Sequence, residues 1–208
     1  MTQPSLRHAG INLGGTEQDP NANAESGIFG FWMFLMSDAI IFALLFAVYG
    51  TAVAATAGGP TPASEFKLGS AFAETLLLLT SSLTIGLAVL AMKYDAARRP
   101  VFAWMGITFI LGVAFLAMEM HDFTTMFSDG AYPTRSAFLS AFFALVPLHG
   151  LHVLAGCVWM LVMGGQVLAY GFDMRVKINI LRLSLFWHFL DVIWIAILSV
   201  VYLQGHVL

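Results

Sequence analysis

Five long apolar stretches constrain the fold of this sequence more than any other feature. They cover about 28–51, 70–92, 101–121, 137–169 and 183–204. Crossing ~30 Å of hydrocarbon takes ~20 predominantly apolar residues, so each stretch is long enough to span a membrane. Because the bilayer core holds no water to pair with backbone polar groups, the stretches must be helical. We therefore predict an all-α integral membrane bundle of five transmembrane helices.

The composition agrees with a membrane protein. Hydrophobic residues make up 59% of the chain and charged residues only 10%, whereas soluble domains carry about 25% charged residues. The net charge of −3 comes with no basic patch, so nucleic acid is not an expected partner. The single cysteine, Cys157, lies in an apolar stretch and is interpreted as a small core residue.

The first 27 residues differ from the rest of the chain. They are polar and contain no apolar core of the kind that a signal peptide needs. We expect residues 1–27 to form a disordered tail ahead of a five-helix domain over residues 28–208.

The basic residues predict the orientation of the helices. Cytoplasmic loops carry an excess of Lys and Arg. If the N-terminus is cytoplasmic, seven of the nine basic residues lie inside, leaving only Lys67 and Arg135 outside. The inside residues are Arg7, Lys93, Arg98, Arg99, Arg175, Lys177 and Arg182. We therefore expect a cytoplasmic N-terminus and a periplasmic C-terminus.

The tyrosines give a second indication of where the spans end. All five (Tyr49, Tyr94, Tyr132, Tyr170 and Tyr202) fall at or just beyond the ends of the apolar stretches. Aromatic belts at membrane interfaces have this distribution.

Two motifs place ionisable side chains inside apolar stretches. HGLHVLAG covers 149–156 and FWHFLDVIW covers 186–194, and each carries two such side chains three residues apart. Residues three apart lie on one face of a helix. Ionisable groups in a membrane are costly, so these faces should contact protein, in a functional or an assembly role.

Helix rise converts sequence position into approximate depth. Asp38 and Asp191 lie ~15 Å and ~12 Å from the cytoplasmic ends of their spans. His149 and His152 enter from the opposite side. The depths predict two clusters, one of Asp38, His149 and Asp191 and another of His152 and His188. Two further acids, Glu74 and Glu119, are expected elsewhere, near the outer ends of their spans.

This polar network is interpreted as structural, with proton movement or ligand binding as the alternative. Zinc needs about three protein ligands and haem needs an axial ligand and a large cavity, so a metal or haem site is disfavoured. The sequence contains no nucleotide-binding motif and no arrangement for nucleophilic attack. We identify no catalytic residues.

Four segments in order resemble the haem–copper oxidase subunit III family. They are LMSDAIIFA at 35–43, SDG at 128–130, HGLHVLAG at 149–156 and FWHFLDVIW at 186–194. The resemblance runs from about residue 28 to the C-terminus. The five-helix form and LSAFFALVPLHGLHV at 139–153 are similar to the cytochrome bo-type ubiquinol oxidase subgroup.

The resemblance implies a subunit of a respiratory complex in the bacterial inner membrane. Such a complex oxidises ubiquinol, reduces dioxygen to water and pumps protons. Its haems, copper and quinone site are expected in subunit I. This chain would hold no cofactor, would pack against subunit I alongside subunits II and IV, and would bind phospholipids.

The resemblance also covers individual residues. His149, His152, His188 and Asp191 match the family motifs, and Glu119 matches a family acid. Asp38 stands where many cytochrome c oxidases have a glutamate, so the shorter side chain changes its reach.

Three alternatives stay open. One is subunit III of a menaquinol or cytochrome c oxidase, since the electron donor site lies on other subunits. Another is a haem-bearing membrane cytochrome that uses His149 or His152 with His188. The third is an independent proton-coupled transporter using Asp38 and Asp191, although the internal repeats common in transporters are not evident.

Overall fold

The structure, a computed structural model, describes residues 20–58, 68–94 and 98–203. Five long helices dominate this part of the chain, which contains no strand. They are α1 (Pro20–Ala52), α2 (Leu68–Lys93), α3 (Arg98–Ser128), α4 (Ala137–Tyr170) and α5 (Met174–Ile197), and α5 continues as a π-helix over Leu198–Leu203. All five are long and apolar enough to cross a membrane. The predicted all-α architecture with five membrane-spanning helices is confirmed.

Helices α4 and α5 form the centre of the packing, since each contacts three other helices. Helix α5 contacts α1, α2 and α4, and α4 contacts α1, α3 and α5, while α2 and α3 pack against each other. The helices alternate in direction, so the start of α4 lies beside the end of α1. There the Phe138 backbone N–H donates to the Ala55 carbonyl oxygen. We call this end, which holds the loops after α1 and α3, the C-terminal end of the bundle.

Three helices extend beyond the predicted spans. Helix α1 begins at Pro20, within the stretch predicted as tail, and residues 1–19 lie outside the described residues. Helix α3 continues to Ser128, and α5 begins at Met174 with the Asp173 carboxylate accepting from its backbone N–H. Apolar length measures only the part of a helix that lies in hydrocarbon, so it misses polar turns beyond the membrane.

Hydrogen bonds between helices satisfy several of the polar groups in the buried core. The Trp187 indole N–H donates to Ser81 at 2.9 Å, and the Trp194 indole N–H donates to Thr75 at 3.0 Å. A further bond at 2.8 Å joins the hydroxyls of Thr84 on α2 and Thr108 on α3. A buried indole N–H needs an acceptor, so the two tryptophan bonds fix how α5 lies against α2.

Small residues let the tryptophan side chains enter the core. A Cβ atom on Gly112 of α3 would lie 2.8 Å from the Trp187 ring, and one on Gly156 of α4 would lie 3.0 Å from it. Cys157 is buried, and its sulfur borders the same space beside Gly112, as expected for a small core residue. The backbones of α3 and α4 therefore approach α5 closely around one large ring.

The tyrosines do not form a single belt. Tyr94, Tyr132 and Tyr170 are exposed near helix ends, whereas Tyr49 and Tyr202 are buried. Tyr49 packs against Phe138 and Tyr202 against Trp194. Tyr49 and Tyr202 therefore lie near helix ends but face the bundle, because position along a helix does not tell which way a side chain points.

Candidate functional site

Asp38 of α1 lies beside His152 of α4. The Asp38 Oδ2 and His152 Nε2 atoms are 3.1 Å apart, and the two side chains are 12% and 21% exposed. His152 Nδ1 lies 2.7 Å from the Leu148 carbonyl oxygen. Because a carbonyl only accepts, Nδ1 carries a proton. The contact with Asp38 therefore joins α1 to α4.

His188 and Asp191 of α5 meet a hydroxyl from α2. The Ser82 Oγ atom lies 2.6 Å from His188 Nδ1, and Ser82 also hydrogen-bonds with Asp191. Asp191 is buried, whereas His188 is exposed on the outside of the bundle. One serine therefore connects both ionisable residues of the second motif to α2.

His149 is enclosed by aromatic rings. Its side chain is 0% exposed, and its ring lies 6.4 Å from Phe42, 5.9 Å from Phe115 and 5.4 Å from Trp194, measured between centroids. Within the described part of the chain, neither ring nitrogen has a hydrogen-bond partner. Helices α1, α3 and α5 thus all contribute to the surroundings of this residue of α4.

The pairing differs from the one predicted from depth. Asp38 contacts His152 and not the expected His149, and His188 contacts Ser82 and not the expected His152. Depth along a helix does not give the direction in which a side chain points, and this direction decides which neighbour it meets. Sequence reasoning missed Ser82 altogether, although it stands in the hydroxyl-rich run TSSLT at 80–84 of the second apolar stretch.

The two remaining acids are buried toward the C-terminal end of the bundle. Glu74 is 1% exposed and Glu119 is 5% exposed, and they lie close enough to interact electrostatically. The nearby Asp122 accepts a hydrogen bond of 2.7 Å from Ser70. A Cβ atom on Gly150 would lie 2.5 Å from Glu119 Oε2. The missing side chain of Gly150 therefore leaves room for the Glu119 carboxylate against α4.

The geometry does not fit a haem or metal ligand set. Among the described residues, no group of three or more His, Cys, Asp or Glu side chains could hold a metal ion. His149 is surrounded by rings at contact distance, which leaves no space for a macrocycle against its nitrogens. His152 is engaged by Asp38 and Leu148. The contacts of His152 with Asp38 and of His188 with Ser82 join helices.

Comparison with known proteins decides the family. The family model for cytochrome c oxidase subunit III matches residues 14–206. The chain belongs to the cytochrome c oxidase subunit III family. The resemblance to haem–copper oxidase subunit III that the four segments indicated is confirmed.

Individual relatives refine this result. The chain is 48% identical to cytochrome bo(3) ubiquinol oxidase subunit 3 of Pseudomonas aeruginosa over 178 residues, 86% of this chain and 85% of that protein. It is 38% identical to cytochrome c oxidase subunit 3 of Bacillus sp. PS3 over 192 residues, 92% of each chain. It is 39% identical to quinol oxidase subunit 3 of Bacillus spizizenii over 178 residues, 86% of this chain and 87% of that protein.

The family and the five helices together define the class of the protein. It is a multi-pass membrane protein and a subunit III of a terminal oxidase, and so a component of an oxidoreductase complex. The similarity to a bo-type subunit covers most of both chains, which confirms the bo-type resemblance.

Proposed function

We propose that the chain is the accessory, non-redox subunit III of a proton-pumping terminal ubiquinol oxidase in the bacterial inner membrane. The complex reduces dioxygen to water in aerobic respiration. Its haems, copper and ubiquinol site lie in subunit I. This chain packs against subunit I and stabilises it, with subunits II and IV as further partners.

The similarity to the Pseudomonas aeruginosa subunit carries this proposal. That protein is named as a subunit of a cytochrome bo(3) ubiquinol oxidase, and the 48% identity extends over 86% of this chain. Identity at this level across nearly the whole bundle supports the same role in the same kind of complex.

The chemistry of the interior supports a role without redox centres. Several ionisable side chains contact one another or hydroxyl groups, as in the Asp38–His152 and Ser82–His188 pairs. Such contacts join helices and contribute ~0.6 kcal/mol each on average in membrane proteins. The network thus supports a scaffold that holds its shape within a larger complex.

Orientation and lipid binding complete the proposal. The distribution of basic residues supports a cytoplasmic N-terminus and a periplasmic C-terminus. The chain also holds phospholipids, outside the helix contacts that join α1 and α2 to α3, α4 and α5. Quantifying the phospholipid that stays bound after delipidation tests this part. Finding none, with the stability of the complex unchanged, contradicts it.

Purification from the native host tests the function directly. The tagged chain is isolated in mild detergent, and the eluate is assayed for haem–copper protein and for ubiquinol-dependent oxygen uptake, with an untagged strain as control. We expect both to appear together. A chain that emerges alone and without oxidase activity contradicts the proposal and favours an independent transporter.

A second candidate shares the family but not the electron donor. The relative from Bacillus sp. PS3 is named as a cytochrome c oxidase subunit and matches 92% of this chain. Subunit III of a cytochrome c or menaquinol oxidase is therefore the alternative. Oxygen uptake by the purified complex with ubiquinol, menaquinol or reduced cytochrome c distinguishes these donors.

A further inference from the structure

An exposed histidine lies in an apolar groove near the middle of the membrane. The groove runs between α2 and α5, has a volume of about 390 Å³, and is lined by Leu79, Ser82, Leu83, Gly86, Leu87, Leu90 and His188. Ser82 lies 14 residues after Leu68 and 11 before Lys93, which is ~21 Å and ~17 Å from the two ends of α2. The polar atoms of the groove are therefore far from both interfaces.

The hydrogen bonds beneath the groove assign the tautomer of His188. When Asp191 is ionised its carboxylate only accepts, so the Ser82 hydroxyl, which hydrogen-bonds with Asp191, donates its one proton to that group. The 2.6 Å contact between Ser82 Oγ and His188 Nδ1 then requires His188 to donate from Nδ1. In a neutral imidazole this leaves Nε2 as an acceptor. The exposed edge of His188 thus offers an acceptor.

Lipid cannot satisfy that acceptor. Acyl chains carry no hydrogen-bond donor, and head groups lie at the interfaces, about 15 Å from the centre of a ~30 Å hydrocarbon core. Polar side chains in membranes almost always face protein or a water-filled cavity. Gly86, where an added Cβ meets nothing within 4 Å, lies four residues after Ser82, and this spacing of small residues allows a second helix to approach closely.

A second copy of this chain also fits poorly. A two-fold contact brings the same surface of each copy together, which here would set one groove against another. A groove is filled by a ridge, such as a row of side chains on a different helix.

We propose that the groove between α2 and α5 docks a transmembrane helix of a neighbouring oxidase subunit, which donates a hydrogen bond to His188 Nε2. This inference rests on the proposed function, since it takes the neighbour from the same complex. The docked helix presents a serine, threonine, asparagine, glutamine, tyrosine or tryptophan side chain at mid-membrane depth. Once the groove is covered in this way, His188 Nε2 has a donor, and the Asp191–Ser82–His188 hydrogen-bond chain is satisfied.

Site-specific photo-crosslinking in the purified, enzymatically active oxidase tests the proposal. A photoreactive phenylalanine analogue replaces Leu83, which lines the groove and is 64% exposed, and in a matched control replaces Ile110 of α3, which is 66% exposed. We expect position 83 to crosslink to a transmembrane segment of another subunit, at a residue identified by mass spectrometry. A hydrogen-bond donor side chain should lie within one helical turn of that residue. We expect the Ile110 variant to give no such product.

Variants of the acceptor add a second measurement. After gel filtration of the complex, His188→Phe should lower severalfold the fraction of this chain that co-elutes with the other subunits. His188→Gln, which keeps an acceptor, should restore most of that fraction. Thr80→Ala is the control, because the exposed Thr80 hydroxyl donates only to Leu76 of its own helix.

The remaining outcomes overturn the inference in distinguishable ways. The docking site is ruled out if Leu83 crosslinks only to lipid or to a second copy. It is also ruled out if all the variants co-elute with the complex to the same extent. Either result leaves the proposed function intact. Absence of any haem–copper subunit from the purified wild-type preparation contradicts the proposed function and the docking site together.

Discussion

His149 and His188 occupy opposite environments although they lie in similar motifs. Each is the first of two ionisable residues three positions apart in an apolar stretch. His149 is enclosed by rings from three other helices, whereas His188 lies exposed in a groove. The difference shows that such a motif marks one face of a helix but does not tell whether that face meets the bundle or a partner.

The two environments imply different kinds of contribution. A fully buried side chain fills space, and its loss leaves a cavity. A polar side chain on the membrane-facing surface contributes little to the isolated bundle but requires a covering partner. Stability and complex assembly should therefore respond separately to changes in the two regions.

Removal of the two histidines should give the largest contrast in stability. His149→Ala should lower the free energy of unfolding by about 2–5 kcal/mol, the range for emptying a well-packed site. His188→Ala should lower it by only ~0.6 kcal/mol, the average for one interhelical hydrogen bond in a membrane. Unfolding titrations of the full chain in detergent measure both. Equal losses would remove the distinction between the regions.

A glycine pair on α3 tests close packing in the interior. Gly112→Ala places a Cβ 2.8 Å from the Trp187 ring and should cost about 1–3 kcal/mol through overpacking. Gly106→Ala, where a Cβ meets nothing within 4 Å, should be neutral or slightly stabilising. Thermal unfolding of the two variants side by side checks this. A tolerated Gly112→Ala would show that Trp187 is free to move.

The contact between Asp38 and His152 should have an intermediate effect. A double-mutant cycle with Asp38→Ala and His152→Ala should give a coupling energy of about 0.6–1.7 kcal/mol. In the complex, Asp38→Ala and Asp191→Ala should each weaken assembly or sustained turnover while leaving the initial oxidase rate nearly unchanged. Oxygen uptake followed over many turnovers separates the two effects. Immediate loss of oxygen reduction in a fully assembled complex would argue for a direct catalytic role.

The smallest effect is expected for one buried hydroxyl. Ser81→Ala removes the acceptor of the Trp187 indole N–H and should cost ~0.6 kcal/mol. Ser37→Ala is the control, because the Ser37 hydroxyl is exposed and donates only to Met33 of its own helix. The two variants are compared by unfolding titration. The same cost in both would assign the loss to helix propensity.

The sequence allowed the helices and the residues of the polar network to be predicted, but not the contacts among them. Apolar length and the lack of water in the bilayer determine five helices almost without further information. The partner of each polar side chain depends on rotation about the helix axis and on small residues nearby. The pairing of Asp38 with His152 and the room that Gly150 leaves for Glu119 follow from such details.

A cryo-electron microscopy map of the purified oxidase would show both histidine environments at once. We expect His149 to stay enclosed within the bundle, and a transmembrane helix of another subunit to cover the α2–α5 groove with a donor side chain at hydrogen-bond distance from His188 Nε2. A map in which His188 faces lipid in a fully assembled complex would rule out the docking of a helix in this groove.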